Sequence, residues 1–519
     1  MRGIADGYIA GDPALEPFFS AAPNSLFADA PPSTPWKPEI AAAPLLWRRE
    51  EGRWRNVSPD PESTVIITGQ QPGLLTGPLY TIYKAVTTII LARRLESIHG
   101  RPFLPVFWVA GDDHDFEETR RVTLLTQDHT PYTLEYQPES DVTGLPMRRV
   151  PVEACLHDLV DSAATHAAGG EPRERVRAEL RDALNEAGSF SDWFANIMGR
   201  LFEGTPLCFF TPGHEADRKT AEPIIQADIE SPGTINSLLT EASAELAGAG
   251  YAAPLEKRPE ECNFFLELDE KRRKTVYENG AFALPEDGVR MSRQEMLERL
   301  ASEPHRFTPN VVLRCVVQQA LFPVAAYVAG PGEVAYWAQF KRVFEWLGQP
   351  MPVVYPRASA ALGSTKVWRL LARYNMALDQ LGDAKEALLD RALAHINRKA
   401  PLREAVSQHR ARIREELTTL EASLRGEHPP AGDMADALLR SASRYLDRIE
   451  GEVLRADKRQ VDTVEEHIAK LQNCFQPWRR PQERVYTVFS FLFSHGFPLI
   501  QRLLAEMEIG SNQINEIEL

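Results

Sequence analysis

Short apolar runs and glycine loops alternate with helical spacing in the first part of the chain. A β-branched run, Thr64 to Thr68, ends at Gly69, and residues 79–98 repeat apolar positions at helical intervals. A second apolar run, Pro105 to Ala110, ends at Gly111. This order predicts a right-handed βαβ unit whose loops meet at the carboxyl edge of a parallel sheet.

Later segments extend the α/β pattern. Apolar runs predict strands at 206–211 and 352–355, and a helix followed by a strand over 311–329. Helical spacing predicts helices at 190–202, 214–248 and 334–347. Alternation over 255–290, centred on Asn279 and Gly280, predicts a β-hairpin with a type I′ turn. We therefore expect an α/β fold with a parallel sheet and a small β-rich insertion.

Changes in composition predict three regions. Residues 1–55 are rich in Pro and Ala, which predicts an extended arm with short helices. Residues 56–365 are predicted to form the sheet core, which two insertions interrupt at about 120–185 and 250–305. No strand is expected after residue 366, so 366–519 is assigned to a helical coiled-coil and docking region. Its apolar positions keep three-and-four spacing, which fits plain helix packing or a dimer interface: Leu417, Leu420, Leu424, Leu438, Tyr445, Ile449 and Val453.

The charge balance limits the class of partner. The 519 residues include 73 acidic and 58 basic side chains, which gives a net charge of −15 and a pI near 5.4. Because phosphate contacts need clustered Lys and Arg, we expect no nucleic-acid partner and no membrane partner. The apolar stretch 311–330 is interrupted by polar residues and predicts buried core, not a membrane span.

Cysteine spacing and the N-terminal sequence bear on the compartment. The five cysteines are far apart and form no CxxC pair, so neither a disulfide framework nor a zinc site is expected. The first residues lack the apolar segment of a secretory signal. We therefore expect a cytoplasmic protein.

The first candidate site is the glycine-punctuated loop that follows the first predicted strand. Gly69, Gly73 and Gly77 would let backbone amides approach an anion, and the next helix adds a partial positive charge at its N-terminus. The spacing matches neither GxGxxG nor a P-loop, so a nucleotide site and a tight structural turn both remain open. The side chains assigned to a ligand on this loop are Gln70, Thr76, Tyr80, Tyr83 and Lys84.

The second candidate site is the acidic segment GDDHDFEE, which follows the second predicted strand. Five carboxylates and one histidine crowd seven residues, although like charges repel and no core needs them. His114 could be a general base, an orienter of a substrate amine or a metal ligand, and the carboxylates could hold Mg²⁺ through water. Binding of an amine or hydroxyl ranks first, a solvated acidic turn is the structural alternative, and the residues assigned are Asp112, Asp113, His114, Asp115 and Glu117.

The third group combines a predicted helix with a later glycine loop. Arg314 and Gln318 share one face of an apolar helix, and a buried arginine needs an anionic partner. The loop at Gly330 and Gly332 should lie beside the first two loops if the sheet is parallel. The residues assigned here to substrate are Asn310, Arg314, Gln318, Glu333, Trp337 and Arg357.

A basic and aromatic cluster follows the predicted coiled coil. It fits either a separate anion or nucleotide pocket or the docking of one region on another, and its members are Lys470, Trp478, Arg479, Arg480, Arg484 and Tyr486. Lys470, Arg484 and Tyr486 are assigned to nucleotide, together with the glycines of the two loops.

Five strings in this order resemble the cysteine ligase family of bacillithiol biosynthesis, whose reaction adds cysteine to glucosaminyl-malate. They are TGQQPGLLTGPLYTIYKA, PVFWVAGDDHDFEE, NVVLR, VAGPGEVAYW and PQER. The resemblance covers nearly the whole chain and implies a Rossmann-like core, two connecting insertions and a C-terminal coiled coil that forms a homodimer. The Pro- and Ala-rich arm and Cys315 depart from the family pattern.

The chain also resembles, more distantly, the catalytic core of class I aminoacyl-tRNA synthetases. Residues 78–83 occupy the place of the HIGH signature and residues 359–366 that of the KMSKS loop, but neither signature is present. This departure puts a simple cysteinyl-adenylate mechanism in doubt.

The resemblance implies a ligase reaction that joins the cysteine carboxyl to the sugar amine, with ATP or ADP as the expected nucleotide and Mg²⁺ as a possible companion. Arg314 and Arg357 would neutralise carboxylates or phosphate, and His114 or Asp113 would take the amine proton. Two alternatives are a nucleotidyltransferase-like enzyme that activates another acid and a non-enzymatic dimeric ligand-binding protein.

Overall fold

The chain is described by a computed structural model over residues 3–29, 31, 35–396, 402–511 and 513–519. It divides into two compact units. The first comprises Met1–Ala361 with Glu483–Ile517, and the second comprises Leu362–Gln482 with Glu518–Leu519. The sequence pattern assigns all residues after 365 to one C-terminal region, whereas residues 483–517 group with the first unit.

A seven-stranded sheet forms the centre of the first unit. In spatial order its strands are β14 (Val353–Pro356), β13 (Val324–Ala329), β3 (Thr64–Gln70), β4 (Phe103–Val109), β7 (Cys208–Phe210), β1 (Trp47–Glu50) and β2 (Arg53–Asn56). The first five are parallel to one another, and β1 and β2 are antiparallel. From β7 to β14 the parallel strands follow the Rossmann order 3-2-1-4-5, which confirms the predicted α/β fold.

The βαβ unit predicted at the start of the sheet is present. β3 and β4 are buried along nearly their whole length, as expected for central strands of a sheet covered on both faces. The helix between them, α4 (Tyr80–His99), is also largely buried, because its apolar residues surround the helix instead of forming one stripe. Gly100 ends α4 in the left-handed conformation (φ 64°).

Helices surround this sheet and the two insertions. In chain order those of the first unit are α1 (Ile4–Ile9), α2 (Ser25–Ala28), α3 (Pro38–Ala42), α5 (Phe116–Thr119), α6 (Cys155–His166), α7 (Arg173–Asn185), α8 (Phe190–Leu201), α9 (Glu215–Glu230), α10 (Thr234–Gly248), α11 (Arg293–Ser302), α12 (Val311–Leu321), α13 (Pro331–Trp337), α14 (Lys341–Trp346), α19 (Phe489–His495) and α20 (Pro498–Glu506).

The two insertions carry their own strands. The segment around 120–185 contains a hairpin of β5 (Arg121–Leu125) and β6 (Pro131–Glu135), followed by α6 and α7. The later insertion is part of an antiparallel sheet of β11 (Val289–Met291), β10 (Ala281–Leu284), β9 (Lys271–Glu278), β8 (Glu261–Leu268) and β12 (Phe307–Pro309). Asn279 and Gly280 connect β9 to β10 with φ angles of 53° and 76°, which confirms the predicted type I′ turn.

Two expectations about strands are wrong. Residues 47–56 belong to the main sheet and not to an extended arm, because Trp47 of β1 pairs with Phe209 of β7 and thereby adds a hairpin to the sheet edge. The tight turn of this hairpin lies at Glu51 and Gly52, both with positive φ. A strand also occurs after residue 366: β16 (Asn515–Glu518) forms a two-stranded sheet with β15 (Ala360–Gly363).

The second unit is helical and contains the predicted coiled coil. It consists of α15 (Thr365–Arg373), α16 (Lys385–Ile396), α17 (Leu402–Glu427) and α18 (Pro429–Phe475). His428 separates the two long helices and caps α18 by accepting from the amide of Ala431. With 47 residues, α18 is roughly 70 Å long at 1.5 Å per residue. Side chains of α17 and α18 pair by charge, as in Arg410 with Asp447.

Replacing Gly69 with Ala should destabilise the first unit. An added Cβ would lie 3.0 Å from the Trp108 carbonyl oxygen and 3.1 Å from its Cβ, and the backbone between paired strands has little room to yield. We expect a loss of about 1–3 kcal/mol in the free energy of unfolding, measured by urea denaturation. Gly248→Ala is the control, because no atom lies within 4 Å of its added Cβ. Equal denaturation midpoints for the two variants would contradict the packing argument.

Candidate functional site

A cavity of about 690 Å³ opens at the carboxyl edge of the main sheet. It lies where the strand order reverses between β3 and β13, so that the loops after these strands diverge and leave a crevice. Residues of the loops after β3, β4, β13 and β14 line it, together with residues of β8, β9 and α12. The three candidate sequence segments therefore meet in one place.

Lys84 and Glu333 connect the two loops that flank the crevice. The Lys84 ammonium lies 2.6 Å from a Glu333 carboxylate oxygen and donates to the Gly69 carbonyl (2.8 Å) and the Gln70 side-chain oxygen (3.0 Å). Glu333 also accepts from the Tyr327 hydroxyl at 2.6 Å. All three ammonium donors are thus engaged, and Lys84 acts as a strut between loops, not as a free base or nucleophile.

Burial and hydrogen bonding oppose each other at Glu333. Burial alone would raise the pKa of its carboxyl, but the Lys84 ammonium, the Tyr327 hydroxyl and the Gly330 amide together hold that pKa below its usual range. Glu333 therefore remains ionised and keeps the strut charged on both sides.

Asp112 holds two arginines instead of facing a substrate freely. One of its oxygens accepts from Arg218 of α9 (2.7 Å) and from Arg148 of the first insertion (2.9 Å). Arg148 also pairs with Glu267 of β8. Burial would raise the pKa of Asp112, but the two guanidinium groups outweigh it and hold that pKa well below its usual value. Asp112 is therefore a structural brace that ties both insertions to the loop after β4.

Asp113 and His114 are held in the same loop with part of their side chains exposed to the cavity. Asp113 accepts from the Gln71 amide at 2.6 Å and, with its other oxygen, from the backbone amide of His114 at 2.7 Å. The His114 Nδ1 atom lies 3.2 Å from a guanidinium nitrogen of Arg272. Asp115 is exposed at the rim. This side of the cavity presents carboxylates that can bind an amine.

Glu118 shows the mutual repulsion of the acidic segment. Partial burial raises the pKa of its carboxyl, and the neighbouring charges of Asp115 and Asp113 raise it further. A bound ammonium group would relieve this repulsion.

Basic side chains occupy the other side of the cavity. Arg314 of α12 and Arg484 both line it, and neither guanidinium has a carboxylate within 4 Å among the residues that the structure describes. Arg357, after β14, is paired with Glu483 through two bonds of 2.8 and 2.6 Å, but its buried Nε–H has no partner within the described ranges. Free carboxylates or phosphates would satisfy these donors.

The two kinds of charge are separated along the sheet edge. Arg357 follows β14 and Asp113 follows β4, and three strand spacings of about 4.8 Å lie between those strands, which is roughly 14 Å. The lining carboxylates Asp112, Asp113 and Asp115 thus follow β4, whereas Arg357 follows β14, so the cavity is polarised between these strands. Two lining charges of opposite sign are held by neighbours: Arg272 lies beside His114, and Glu333 pairs with Lys84.

The structure brings together fifteen of the residues assigned from sequence. Those that line the cavity are Gly69, Gln70, Tyr80, Lys84, Asp112, Asp113, His114, Asp115, Asn310, Arg314, Gly330, Gly332, Glu333, Arg357 and Arg484. Asn310 contributes mainly by capping α12, where its side chain accepts from the amides of Val312 and Leu313.

The remaining assigned residues lie elsewhere. Gly73, Gly77, Thr76, Tyr83, Gln318, Trp337 and Tyr486 do not line the cavity, and all the side chains among them are buried; Glu117 pairs with Arg120 at the surface, and Lys470 lies on α18 of the second unit. The structure therefore places these residues in the packed interior or on the surface, and not in the lining of the cavity where contact with a ligand is predicted. The C-terminal cluster is itself divided, because the boundary between the units falls at residues 482 and 483.

The glycine loop after β3 is a structural turn over Gly73 to Gly77. A Cβ on Gly73 would lie 3.0 Å from the Gly77 Cα, so the loop closes on itself. Gly77 has a φ of 67°, and the following Leu79 amide donates to the Tyr486 carbonyl at 2.7 Å. The glycine spacing left open a nucleotide site and a tight structural turn, and Gly73 and Gly77 form the turn. Of the three glycines in this loop, Gly69 alone lines the cavity.

Sequence reasoning missed several lining residues. They are Gln71, Trp108, Lys257, Phe265, Arg272, Pro309 and Tyr336. Gln71 adjoins an assigned residue and could have been included with it. Lys257, Phe265 and Arg272 lie in the second insertion, where strand alternation was visible but no local pattern indicated that one face of the sheet reaches the site.

Within the described ranges, no three His, Cys, Asp or Glu side chains converge as a metal site would require. No helix among those residues combines the length and apolar character needed to cross a bilayer.

A parallel sheet of Rossmann order, with a polarised cavity at its switch point, defines a Rossmann-like protein with a candidate small-molecule site. Two family models match the chain: "Bacillithiol biosynthesis BshC, N-terminal Rossmann-like domain" over residues 57–358 and "Bacillithiol biosynthesis BshC, C-terminal coiled-coil domain" over residues 360–519. The chain belongs to the BshC family, which confirms the resemblance seen in the sequence.

Curated relatives agree with this assignment, and each carries the name "Putative cysteine ligase BshC". The relative from Salinibacter ruber is 33% identical over 447 residues, covering 86% of this chain and 81% of its own length. Those from Prosthecochloris aestuarii and Geobacillus thermodenitrificans are each 31% identical, covering 87% of this chain and 82% and 84% of their own lengths.

Removing the Asp112 carboxylate should lower the free energy of unfolding of the first unit, because Asp112 belongs to a buried ion network. Asp112→Ala leaves the buried Arg218 with only the longer 3.7 Å contact to Asp217 among the described residues and removes a carboxylate from Arg148, and loss of one member of a buried ion network costs about 3–5 kcal/mol. Asp115→Ala removes an exposed carboxylate three residues away and should change the free energy of unfolding by less than about 0.5 kcal/mol. Urea denaturation of both variants checks this, and equal midpoints would contradict the bracing role of Asp112.

Proposed function

We propose that this chain forms an amide bond between the carboxyl group of L-cysteine and the amine of glucosaminyl-malate, the last step of bacillithiol biosynthesis. The observation that carries the proposal is the polarised cavity in a chain of the BshC family. Cysteine is a zwitterion, and glucosaminyl-malate carries one amine and two carboxylates. Both substrates therefore need acidic and basic groups in one site.

The basic side fits the carboxylates of the malyl group. Arg314 has no carboxylate partner among the described residues, and its helix is fixed at the cavity wall by the Asn310 cap. A guanidinium can bind a carboxylate through two parallel hydrogen bonds, which gives orientation as well as affinity. Arg484 and the Nε–H of Arg357 provide further donors on this side.

The acidic side fits the reacting amines. Asp113 and His114 lie in the loop after β4, where several carboxylates lie close together and repel one another. As the amine nitrogen attacks the cysteine carbonyl carbon, the new C–N bond forms and the nitrogen must lose a proton. Asp113 and His114 are the two candidates to accept it.

Amide formation requires that the cysteine carboxyl first acquire a good leaving group. ATP would supply it, with phosphate or AMP as the group that departs. The unpartnered donors of Arg314, Arg357 and Arg484 fit the charge of a phosphate, while Gly73 and Gly77 do not contribute the backbone cradle expected from the sequence. In this proposal any Mg²⁺ enters with the nucleotide. The cytoplasmic location stays a prediction.

The purified full-length chain should form the thiol product from cysteine, glucosaminyl-malate and ATP, detected by mass spectrometry. Release of phosphate or pyrophosphate separates an acyl phosphate from an adenylate. Product that forms from another acid in place of cysteine would favour the nucleotidyltransferase-like alternative. Binding of both substrates without product under any nucleotide condition would contradict the ligase function.

Arg314→Gln should raise the KM for glucosaminyl-malate about 10- to 100-fold with a smaller change in kcat. The reason is that a charge-assisted hydrogen bond contributes about 1.5–3 kcal/mol, and 1.4 kcal/mol is a factor of ten. Arg306→Gln is the matched control, because Arg306 pairs with Glu303 outside the cavity. Steady-state kinetics with each substrate varied in turn makes the measurement. An unchanged KM for Arg314→Gln would remove this residue from substrate binding.

We also propose that the helical hairpin of the second unit forms a homodimer. Four apolar side chains of α18 are exposed at spacings of four, seven and four residues: Met434 (75%), Leu438 (51%), Tyr445 (63%) and Ile449 (50%). Such spacing places them along one face of the helix, and a continuous apolar face in water favours association. A second copy of the same hairpin offers the matching stripe.

Introducing charge into this stripe should dissociate the dimer. The double variant Leu438→Asp with Tyr445→Asp would bury carboxylates in the proposed interface, whereas Arg444→Asp changes an exposed residue on another face. Sedimentation equilibrium should give the dimer mass for the wild type and for Arg444→Asp, and the monomer mass for the double variant. A monomeric wild type at micromolar concentration would refute the interface.

A further inference from the structure

Arg272 of β9 is fixed by contacts on three sides. Its Nε–H donates to the Thr308 hydroxyl at 2.9 Å, and one terminal nitrogen donates to the Pro309 carbonyl at 2.7 Å. The guanidinium lies 3.8 Å from the centre of the Phe265 ring. The side chain is buried, with 6% of its surface exposed. Its second terminal nitrogen faces the loop after β4, where it lies 3.2 Å from His114 Nδ1 and 3.9 Å from an Asp113 carboxylate oxygen.

This contact determines where the imidazole carries its proton. A guanidinium donates hydrogen bonds and cannot accept them, and it does not lose its proton in proteins. Nδ1 of His114 must therefore offer its lone pair to Arg272. In the neutral imidazole the proton is then on Nε2. Nε2 has no hydrogen-bond partner among the described residues, and the side chain, which lines the cavity, is 34% exposed.

The charges around His114 favour the neutral ring. The facing groups are Arg272 from β9, Asp113 and Asp115 from its own loop, and Glu286 from the β10–β11 turn. Burial lowers the pKa of His114 below 6.5 and Arg272 lowers it further, and these effects outweigh the three carboxylates. The imidazole is therefore uncharged at pH 7, with a donor and not an acceptor on its cavity side.

We propose that Arg272 is a positioning residue that fixes His114 as an Nε2–H donor, so that His114 stabilises the acyl oxygen of the activated cysteine and Asp113 accepts the amine proton. This inference rests on the proposed ligase function. It resolves the alternative between His114 and Asp113 in favour of the carboxylate.

In this arrangement the amine of glucosaminyl-malate reacts in its neutral form. The amine lone pair attacks the carbonyl carbon, the C–N bond forms, and the carbonyl electron pair moves to the oxygen, where the Nε2–H of His114 donates to it. The carbonyl then re-forms as the leaving group departs with its electron pair. The nitrogen becomes positively charged when it attacks, and its surplus proton passes to the Asp113 carboxylate, which Gln71 holds at 2.6 Å.

Two substitutions of His114 separate a donor from a base. The amide of Gln can place an N–H near the position of Nε2 but cannot take a proton, and Ala does neither. We expect His114→Gln to keep the rate of ligation within about tenfold of the wild type, while His114→Ala loses about 100-fold or more, as for other oxyanion donors. Equal losses in the two variants would overturn the donor role. Neither substitution alters the contacts that anchor Arg272.

The tautomer can be measured without substrate in the full-length protein. Side-chain ¹⁵N spectra of the histidines, with His114→Gln identifying the His114 signals, should show unprotonated Nδ1 and protonated Nε2 at pH 7 and 8. Arg272→Lys should retain this pattern, whereas Arg272→Met should mix the two tautomers. A protonated Nδ1 at pH 7 in the wild type would overturn the proposal.

These readouts distinguish two kinds of failure. If the chain forms no thiol product, the ¹⁵N spectra still test whether Arg272 sets the tautomer. If product forms but the spectra show Nδ1–H, the ligase function stands and the role of Arg272 is wrong. Thermal unfolding of Arg272→Met checks that the variant is folded before its spectra are compared with those of Arg272→Lys.

Discussion

The buried ion pair between Lys84 and Glu333 joins the two loops on which the candidate site depends. It spans the point where the Rossmann order reverses and the loops after β3 and β13 diverge. Ion pairs of this kind add little net stability, because desolvation offsets their attraction. Their contribution is geometric, since a charge left without its partner would be costly and the pair therefore holds one separation of the loops.

The acidic side of the site is held by a second network with a different purpose. Asp112 binds Arg218 and Arg148, and Arg148 continues to Glu267. This network engages Asp112 of the acidic segment, while Asp113 and Asp115 line the cavity outside it. The insertions thus do more than lengthen the chain. One supplies the arginine that braces the loop, and the other supplies Arg272, which faces His114.

Local sequence patterns predicted the parts of the fold that depend on neighbouring residues. Long apolar runs located β3, β4 and β13, and two residues that tolerate positive φ located the turn at Asn279 and Gly280. The hairpin at residues 47–56 was not predicted, because its alternating positions are occupied by Trp and Arg and its pairing partner, Phe209, is distant in sequence. The same distinction applies to the candidate site. The sequence segments that line it could be recognised from local patterns, but the contact of His114 with Arg272 depends on tertiary pairing that no local spacing encodes.

The position of Glu483 and Arg484 has a consequence for how the protein is made. Both residues belong to the first unit, where Glu483 neutralises the buried Arg357 and Arg484 lines the cavity. In the chain they follow residues 362–482, which include all the helices of the second unit. During vectorial synthesis the Rossmann-like unit therefore waits, with Arg357 uncompensated, until the long helices have left the ribosome. A nascent chain that stops within the coiled coil would have the main sheet but an unfinished site, so the long helices are synthesised before the site is complete.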